Sequence, residues 1–373
     1  MKKILFIINV DWFFISHFLP VAKKALQEGY EVHLACGFTD KQAMLEDLGI
    51  KIHPLKISRS GTTVTHEIAL IKEIYTVLKT VRPDIVEFFT IKPLLYGGIV
   101  SHFTKVKRKV FYITGLGYIF TKKGLKGSLI KTVVKFLYRF ALWGKDVAVI
   151  TENIYDKQLI QDLNVLRDKN LHILKGAGVD LSNYKYLQEP KQKPLQIAMA
   201  SRLLRDKGVF EFIAAAKEIL NDGYDAEFIL YGDIDIYNPA SLTVEEVKRI
   251  EQENYVKVFG FCSDISKAFQ KANIVVLPSY REGLPKVLIE AAACGRAVVT
   301  TDVPGCKDAI IPNKTGLLCQ VKDAHSLALA IKKLLDDPAR RDAMAREGRL
   351  LAEREFDINK ILQQHFSVYG ENK

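Results

Sequence analysis

Two glutamates on either side of a Gly-Leu-Pro turn are the residues of this sequence best placed to do chemistry. Glu282 and Glu290 lie eight residues apart, after the apolar run of residues 274–277, which is typical of a buried parallel strand. Apolar side chains then recur at helical spacing, and Pro285 is suited to the helix start. The pattern therefore predicts a strand, a turn that holds Glu282, and a helix whose first turns hold Glu290.

This strand, turn and helix offer the groups that bind a nucleotide sugar. The backbone amides and the dipole at a helix N-terminus attract phosphate. A carboxylate on either side of the phosphate is placed to accept hydrogen bonds from hydroxyl groups, which are abundant on sugars. A surface loop with one exposed and one capping glutamate explains this segment, taken alone, about equally well.

A second predicted strand-to-helix loop carries two cations. Residues 197–200 predict another short strand, and a helical pattern follows the loop that Arg202 and Lys207 bracket. Such loops bind ligands in open α/β sheets, and two cations there could neutralise a diphosphate as its bond to a sugar breaks. Isolated cations are more often solvated surface residues. The combination with the two glutamates favours the functional interpretation.

These segments together resemble the C-terminal half of retaining GT-B glycosyltransferases of family 4. The resemblance lies in residues 201–208 (SRLLRDKG), 258–264 (VFGFCSD) and 278–299 (PSYREGLPKVLIEAAACGRAVV), and it continues in the GVD of residues 178–180. The N-terminal half matches more weakly, for example in the SHF of residues 16–18. The resemblance implies an α/β fold of GT-B type, with two Rossmann-like, doubly wound parallel-sheet domains that face a cleft.

The same resemblance implies roles for the charged residues. In that family a Glu-x7-Glu element and an Arg/Lys pair bind the nucleotide sugar, so Arg202 and Lys207 are expected to stabilise the departing diphosphate. Glu290 is expected to accept the ribose hydroxyls, and Glu282 to hold a hydroxyl of the transferred sugar. Further donor-binding residues are expected at Gly260, Gly283, Leu284, Pro285, Lys286 and Val287.

Two places in the N-terminal half are candidates for the acceptor side. Gly115 and Gly117 follow a predicted strand and could bring the backbone close to a sugar, although a simple tight turn explains this Gly-Leu-Gly about equally well. Many family members have a histidine in this loop, and its role cannot be transferred directly to this sequence. His17 matches a family position that faces the cleft, and we count it among the catalytic candidates, although a lone histidine at a helix start is often structural.

Length and element order predict two domains. A chain of 373 residues is too long for one typical core, and strand and helix patterns alternate through residues 1–184, the expected acceptor-binding domain. Residues 185–194 are polar with two prolines and predict a linker, after which the alternation restarts in the expected nucleotide-sugar domain, residues 195–355. The resemblance implies that residues 356–373 form a helix that crosses back to the N-terminal domain.

The net charge of +11 is concentrated in one window. Residues 101–145 contain eleven lysines and arginines and no acidic residue, while the rest of the chain is balanced. A helix is predicted over residues 129–143, with Lys131, Lys135 and Arg139 at four-residue spacing among aromatic side chains. Such a helix can lie on an anionic membrane surface, and an ordinary packed helix with a solvated basic stripe is the alternative. Nucleic-acid binding is disfavoured because no recognised module is visible.

Several classes of protein are excluded by the sequence. Five cysteines without CxxC spacing argue against a disulfide framework, and no histidine pair has zinc-site spacing. A dehydrogenase is excluded because no GxGxxG motif follows any predicted strand. No stretch of about 18 uncharged residues predicts a transmembrane helix. The N-terminus is basic and then apolar, and it fits a first strand better than a signal peptide. We therefore expect a cytoplasmic protein.

Residues and resemblance lead to one hypothesis. We expect a retaining glycosyltransferase that moves an N-acetylhexosamine or hexose from a UDP-sugar to a polyprenyl-diphosphate-linked saccharide in O-antigen or other surface-polysaccharide biosynthesis. It would work peripherally at the inner face of the plasma membrane. We expect neither a metal nor another cofactor, because the nucleotide sugar is a substrate and the Arg/Lys pair replaces a divalent cation. The alternatives are a GT-B sugar-nucleotide epimerase and a non-catalytic sugar- or lipid-binding partner.

Overall fold

The computed structural model describes residues 1–57, 63–115 and 125–370, with side chains from residue 132 onward in the last range. The chain forms two α/β units, of which the second is continuous and the first is made of two segments. The first unit comprises Met1–Ala177 and Ile361–Lys373, and the second comprises Gly178–Lys360.

The sheet of the first unit is parallel and buried on both faces. Its strands are β1 (Lys3–Val10), β2 (Glu31–Gly37), β3 (Lys51–Pro54), β4 (Ile85–Phe89), β5 (Arg108–Ile113), β6 (Val147–Thr151) and β7 (Leu171–Ile173). They lie in the order β3-β2-β1-β4-β5-β6-β7. In the central strand Ile4, Phe6 and Ile8 pack on one face. Leu5 and Ile7 pack on the other, as the two-residue period of a strand requires.

Helices cover both faces of this sheet. Those described are α1 (Asp11–His17), α2 (Leu19–Gln27), α3 (Gln42–Asp47), α4 (Val64–Val81), a π-helix (Pro93–Gly97), α5 (Gly98–Ser101), α6 (Leu125–Ala141) and α7 (Ile154–Gln161). Val21 and Ala25 of α2 pack on the face of Phe6. Ile74 of α4 and Tyr138 of α6 pack on the opposite face.

The second unit repeats this architecture. Its strands are β8 (Leu195–Ala200), β9 (Ala226–Tyr231), β10 (Lys257–Val258), β11 (Ile274–Leu277), β12 (Ala297–Thr301) and β13 (Gly316–Cys319). They form a parallel sheet in the order β10-β9-β8-β11-β12-β13. The predicted fold class, two doubly wound parallel α/β domains, is confirmed.

The helices of the second unit follow the strands in turn. They are α8 (Val209–Asn221), α9 (Val244–Glu253), α10 (Ile265–Lys271), α11 (Lys286–Ala293), α12 (Ala324–Leu335), α13 (Pro338–Leu351) and a π-helix (Ala352–Phe356). The last described helix, α14 (Ile358–Val368), follows them. Apolar side chains of α8 to α13, of the π-helix and of both strand faces form one continuous core.

The stretch predicted to be a linker, residues 185–194, runs along the second unit. The buried guanidinium of Arg296 donates to the carbonyl of Leu187 over 2.9 Å. Asn273 Nδ2 donates to Glu189 over 2.6 Å and to the Pro190 carbonyl over 3.0 Å. These bonds attach the polar segment to the second sheet, so the division between the units falls after Ala177, earlier than residue 184.

The last helix, α14, begins in the second unit and ends in the first. Its His365 Nε2 lies 2.9 Å from Glu87 Oε1 on β4, and Tyr369 donates its hydroxyl proton to Glu87 Oε2 over 2.7 Å. All three side chains are buried. Ile361 and Val368 add apolar contacts to the same core, which fixes the helix on the first sheet.

Both sheets reverse their strand order in the middle. The reversal lies between β1 and β4 in the first unit and between β8 and β11 in the second. In open α/β sheets the loops that leave the carboxyl ends of such a strand pair diverge to opposite faces and form a ligand-binding crevice. The loops after β8 and β11 are the two in which the sequence places its charged candidates.

Candidate active site

The loops after β8 and β11 bring a lysine and a glutamate into contact. Lys207 Nζ lies 2.6 Å from Glu282 Oε1. Lys207 closes a 3₁₀ turn after β8, and Glu282 lies in the loop between β11 and α11. Both side chains are mostly buried, so this is a partly buried ion pair at the point where the strand order reverses.

The two loops approach so closely because Gly208 lies between Lys207 and α8. Its φ is 76°, and a Cβ atom there would lie 2.2 Å from the Pro278 carbonyl oxygen. Backbone bonds support the approach, since Tyr280 N donates to Asp206 O over 2.8 Å. Only glycine fits this position without displacing the backbone.

Arg202, the other predicted cation, is held by a third loop. Its Nη1 donates to Asp235 Oδ2 over 2.7 Å. Asp235 follows β9, the neighbour of β8. Each of the two predicted cations therefore has a carboxylate partner of its own, Glu282 for Lys207 and Asp235 for Arg202.

Glu290 is buried in α11, and its carboxylate is hydrogen-bonded. Tyr184 donates its hydroxyl proton to Glu290 Oε1 over 2.6 Å, and Lys286 Nζ lies 3.4 Å from the same oxygen. Burial raises the pKa of Glu290 above its ordinary value, while Lys286 and the Tyr184 hydroxyl act in the opposite direction. Burial, followed by the charge of Glu290, raises the pKa of the Tyr184 phenol. The phenol therefore acts as a hydrogen-bond donor to the carboxylate.

The predicted phosphate cradle lies between these two glutamates. Gly283 and Leu284 lead into Pro285, the N-cap of α11, and within the described residues no side chain caps this helix. Val287 is in its first turn. The loop after β12 packs tightly against this turn. A Cβ atom at its Gly305 would lie 2.4 Å from the Glu282 carbonyl oxygen. The positive dipole end of the helix therefore lies at this turn, where an anion would be favoured.

A cavity of about 440 Å³ opens beside the Arg202 loop. Gly260, a predicted donor-binding residue, lines it together with Leu203, Gly232 and Asp233. Gly232 N donates to Gly260 O over 2.7 Å, which joins the ends of β9 and β10. The cavity is open to solvent and borders the Arg202 loop through Leu203, and its position did not follow from the sequence.

The described ranges 1–57, 63–115 and 125–370 contain no cluster of three or more His, Cys, Asp or Glu side chains that could hold a metal ion. Asp235, one of the two aspartates after β9, is the partner of Arg202.

The acceptor-side candidates lie in the first unit. His17 ends α1, and its ring centroid lies 4.3 Å from that of Phe13. The segment after β1 is the helix α1, which contains three consecutive aromatic residues, 12–14. Phe14 is buried against Phe6, so part of this aromatic run belongs to the core. Gly115 has a φ of 127° after β5. Gly117 lies outside the described residues.

The helix of the basic window, α6, exposes apolar side chains. Phe136 is 69% exposed and Trp143, just beyond the helix, is 64% exposed, and Val133 and Phe140 are exposed on the same side. Tyr138 and Ala141 turn inward and are buried. The solvent side of this helix therefore combines apolar and basic residues, unlike a packed helix whose apolar face is covered.

The basic residues of the window differ in their surroundings. Lys135 and Arg139 are exposed, but Arg139 Nε donates to the Leu163 carbonyl over 2.8 Å. Lys107 pairs with Asp84, and Arg108 donates to the Val368 carbonyl. The side chain of Lys131 lies outside the described residues. Part of the charge is thus used within the fold, whereas the Lys135 side chain is exposed to solvent.

Across the described part of the chain, none of the helices is long and apolar enough to cross a membrane.

Two residues of the site escaped the sequence analysis. Asp235 and Tyr184 lie 33 and 106 residues from the partners that they contact, Arg202 and Glu290. Only their positions in the sequence could have indicated them. Asp235 follows the end of a strand, and Tyr184 lies six residues after the GVD motif begins. Neither position identifies the partner without the order of the strands.

Comparison with known sequences matches both halves of the chain to family models. The sequence model of the family described as "Glycosyl transferases group 1" matches residues 185–351. The one described as "Glycosyl transferase 4-like" matches residues 3–153. Together the two matches cover most of both units.

Relatives of known name are similar over nearly the whole chain. The chain is 28% identical over 370 residues, 95% of each chain, to N,N'-diacetylbacillosaminyl-diphospho-undecaprenol alpha-1,3-N-acetylgalactosaminyltransferase of Campylobacter jejuni. It is 27% identical, over 82% of each chain, to the capsular polysaccharide biosynthesis glycosyltransferase CapM of Staphylococcus aureus. Among solved structures, Anabaena Alr3699/HepE in complex with UDP-glucose superposes with a TM-score of 0.76 at 19% identity. That superposition covers 99% of this chain and 100% of HepE.

Two doubly wound parallel sheets, together with the family matches and the named relatives, define a glycosyltransferase of the GT-B class. The chain is a glycosyltransferase whose C-terminal half matches the group 1 model and whose N-terminal half matches the 4-like model, in agreement with the predicted family 4. The predicted family and enzyme class are confirmed.

Proposed function

We propose that this enzyme transfers a sugar, an N-acetylhexosamine or a hexose, from a UDP-sugar to a polyprenyl-diphosphate-linked saccharide in surface-polysaccharide biosynthesis, with retention of anomeric configuration. The bond between the anomeric carbon and the diphosphate oxygen breaks, and an acceptor hydroxyl oxygen bonds to the same carbon. The hydroxyl proton leaves with the diphosphate. The names of the relatives, which act on undecaprenol-linked or capsular sugars, support the acceptor class.

The observation that carries the proposal is the contact between Lys207 and Glu282 at the point where the second sheet reverses. In this proposal the lysine is the cation for the diphosphate, and the glutamate beside it accepts a hydrogen bond from a sugar hydroxyl. Arg202 adds a second cation from the same loop. As negative charge develops on the leaving diphosphate, fixed cations in a partly buried site stabilise the transition state more than the ground state.

The remaining donor contacts follow from position. We assign the phosphates to the start of α11 with Gly283, Leu284, Pro285, Lys286 and Val287, and the ribose hydroxyls to Glu290. The cavity beside Gly260, about 440 Å³, is large enough for the nucleoside. The structure of HepE with UDP-glucose supports a UDP-sugar as the donor class. No metal or other cofactor takes part in this proposal, because Arg202 and Lys207 supply the positive charge.

We assign the acceptor to the first unit, with His17 and Gly115 at the carboxyl ends of its strands. The exposed side of α6 would hold the enzyme peripherally at the inner face of the plasma membrane, where a lipid-linked acceptor resides. Phe136 and Trp143 would enter the interface, and Lys135 and Arg139 would lie at the level of anionic headgroups. No nucleic-acid partner is part of the proposal.

The test is incubation of the enzyme with a panel of UDP- and GDP-sugars, with and without a polyprenyl-diphosphate-linked saccharide. We expect consumption of one UDP-sugar only when the acceptor is present. The new glycosidic bond, followed by NMR, should keep the anomeric configuration of the donor. Inversion would exclude the retaining assignment. Formation of an epimeric nucleotide sugar without acceptor would identify an epimerase, and inertness toward every pair would identify a binding partner.

A further inference from the structure

The guanidinium of Arg202 is held by a buried carboxylate, and this contact carries an inference that rests on the proposed role of Arg202. Arg202 Nη1 donates to Asp235 Oδ2 over 2.7 Å. The Asp235 side chain is 8% exposed, whereas that of Arg202 is 39% exposed. We propose that Asp235 is a positioning residue, which fixes the direction in which Arg202 presents its guanidinium to the donor diphosphate.

The loop that carries Asp235, residues 232–243 between β9 and α9, is fastened to the Arg202 loop by backbone hydrogen bonds. Leu203 N donates to Asp233 O over 3.0 Å, and Leu242 N donates to Leu203 O over 2.8 Å. Leu203, the residue after Arg202, is therefore bonded to both ends of the loop. Neither loop can shift without breaking these bonds.

The position of Asp235 is also set from within its own loop. Asp235 N donates to Ser241 Oγ over 2.9 Å, and Ser241 Oγ donates to Leu203 O over 3.3 Å. Asn238 N donates to Asp235 O over 2.8 Å and closes a turn. The carboxylate is thus placed by bonds that do not involve Arg202, which is what a fixed support for a mobile side chain requires.

A close contact at the base of the loop completes the support. Gly232 has a φ of 147°, and a Cβ atom there would lie 1.7 Å from the Ser201 carbonyl oxygen. The backbone before Asp235 therefore lies directly against the residue before Arg202. Glycine makes this approach possible because it has no side chain.

An arginine gains from such a support more than a shorter side chain would. It has several rotatable bonds and five N–H donors in a rigid fork. The bond from Nη1 to Asp235 restrains the plane of the guanidinium, and with it the direction in which the whole fork faces the diphosphate. The carboxylate also cancels part of the positive charge, so it contributes to orientation and not to attraction. Asp235→Asn should therefore lower kcat without weakening inhibition by free UDP.

The experiment is a double-mutant cycle of Arg202→Met and Asp235→Asn, followed by kcat/KM with the UDP-sugar and by the inhibition constant of UDP. We expect Asp235→Asn to lower kcat/KM by roughly 10–100-fold in the native enzyme. In the Arg202→Met background the same substitution should change kcat/KM by no more than about twofold. Asp235→Glu, which keeps the charge at a longer reach, should recover part of the loss.

Asp222→Asn is the matched control, because Asp222 pairs with Lys332 over 2.6 Å at the end of α8 in the same unit. It should leave kcat/KM unchanged. An equal loss from Asp235→Asn in both backgrounds, or no loss in the native enzyme, would overturn the inference. Full activity of Arg202→Met would instead remove Arg202 from the mechanism and overturn the proposed function. Thermal unfolding of each variant separates these results from loss of the fold.

Discussion

The hydroxyl of Tyr184 donates a hydrogen bond of 2.6 Å to the buried carboxylate of Glu290, although the two residues are 106 positions apart. Tyr184 lies between the first residues of the second unit and β8, and Glu290 lies in α11. If Glu290 accepts the ribose hydroxyls, it must be ionised and correctly turned. Tyr184 favours both, because its proton is donated to the charged form.

The first prediction is that Tyr184→Phe weakens donor binding in a pH-dependent way. Burial already raises the pKa of Glu290 above the ordinary 4.5, and loss of the phenol removes a hydrogen bond that opposes this rise. As the pH falls through the raised pKa, Glu290 gains a proton and accepts the ribose poorly. The acid limb of kcat/KM for the donor should move to higher pH, with KM increased roughly tenfold below it.

The control for this prediction is Tyr186→Phe, whose ring lies against Gly295. Its pH profile should match that of the wild type. An unchanged profile for Tyr184→Phe would show that the phenol does not set the charge of Glu290.

The second prediction concerns the two cations of the β8 loop. Arg202→Ala and Lys207→Ala should each lower kcat by about 10²–10³-fold, because each removes a fixed positive charge from the leaving diphosphate. Arg205→Ala is the matched control, since Arg205 lies in the same loop and pairs with Glu246 over 2.7 Å. Steady-state rates of the three variants test this, and near-normal turnover of Arg202→Ala and Lys207→Ala would exclude the assigned role.

The third prediction separates the two glutamates. Glu282→Gln should act mainly on kcat, because Glu282 contacts Lys207 and is assigned to the transferred sugar. Glu290→Gln should act mainly on the KM of the donor, because Glu290 is assigned to the ribose. Kinetics with varied donor at saturating acceptor make the comparison. The opposite division, with Glu290→Gln altering turnover alone, would reverse the two assignments.

The fourth prediction is independence of divalent metal. The charge of the diphosphate is expected to be balanced by Arg202 and Lys207, so activity should survive dialysis against EDTA. The measurement is the initial rate before and after chelation, with and without added Mg²⁺ or Mn²⁺. Loss of activity that either ion restores would contradict a mechanism based on these side chains.

The fifth prediction is salt-sensitive binding to anionic membranes through α6. At about 1 kcal/mol for a basic residue near an anionic surface, Lys135→Gln should lower vesicle binding roughly fivefold at low salt. The electrostatic part of the binding should vanish near 1 M salt, where the Debye length is about 3 Å. The salt-resistant part should vanish when Phe136 and Trp143 are both replaced by serine.

Co-sedimentation with anionic and neutral vesicles measures both parts. Arg139 is left unchanged because it also supports the Leu163 carbonyl. Leu350→Ser, at an exposed apolar position of α13, is the control and should bind like the wild type. If the variants in and after α6 also bind like the wild type, the membrane contact lies elsewhere.

Local patterns predicted much of this fold. The apolar run of Ile274–Leu277, the turn with Glu282 and the helix with Glu290 could be predicted because each depends on residues close in sequence. The contact of Glu282 with Lys207 could not. It depends on β8 lying beside β11, and strand order is decided by packing across the whole sheet.

The basic helix shows a second limit of sequence patterns. The helical period puts Phe136 and Tyr138 in different directions but does not determine which of them faces the core. Tyr138 fits beneath the helix against the first sheet, and Phe136 is left in solvent. A sequence pattern gives the angular separation of side chains around a helix, whereas packing against the sheet determines which side is buried.

The buried cluster of Glu87, His365 and Tyr369 has a consequence for synthesis of the protein. The first sheet receives its last covering helix only after the entire second unit has been made, because the residues that complete its core begin at Ile361. The second unit is one uninterrupted stretch and can fold as soon as it leaves the ribosome. During translation the first sheet therefore keeps an apolar surface and the Glu87 carboxylate uncovered until α14 has been made.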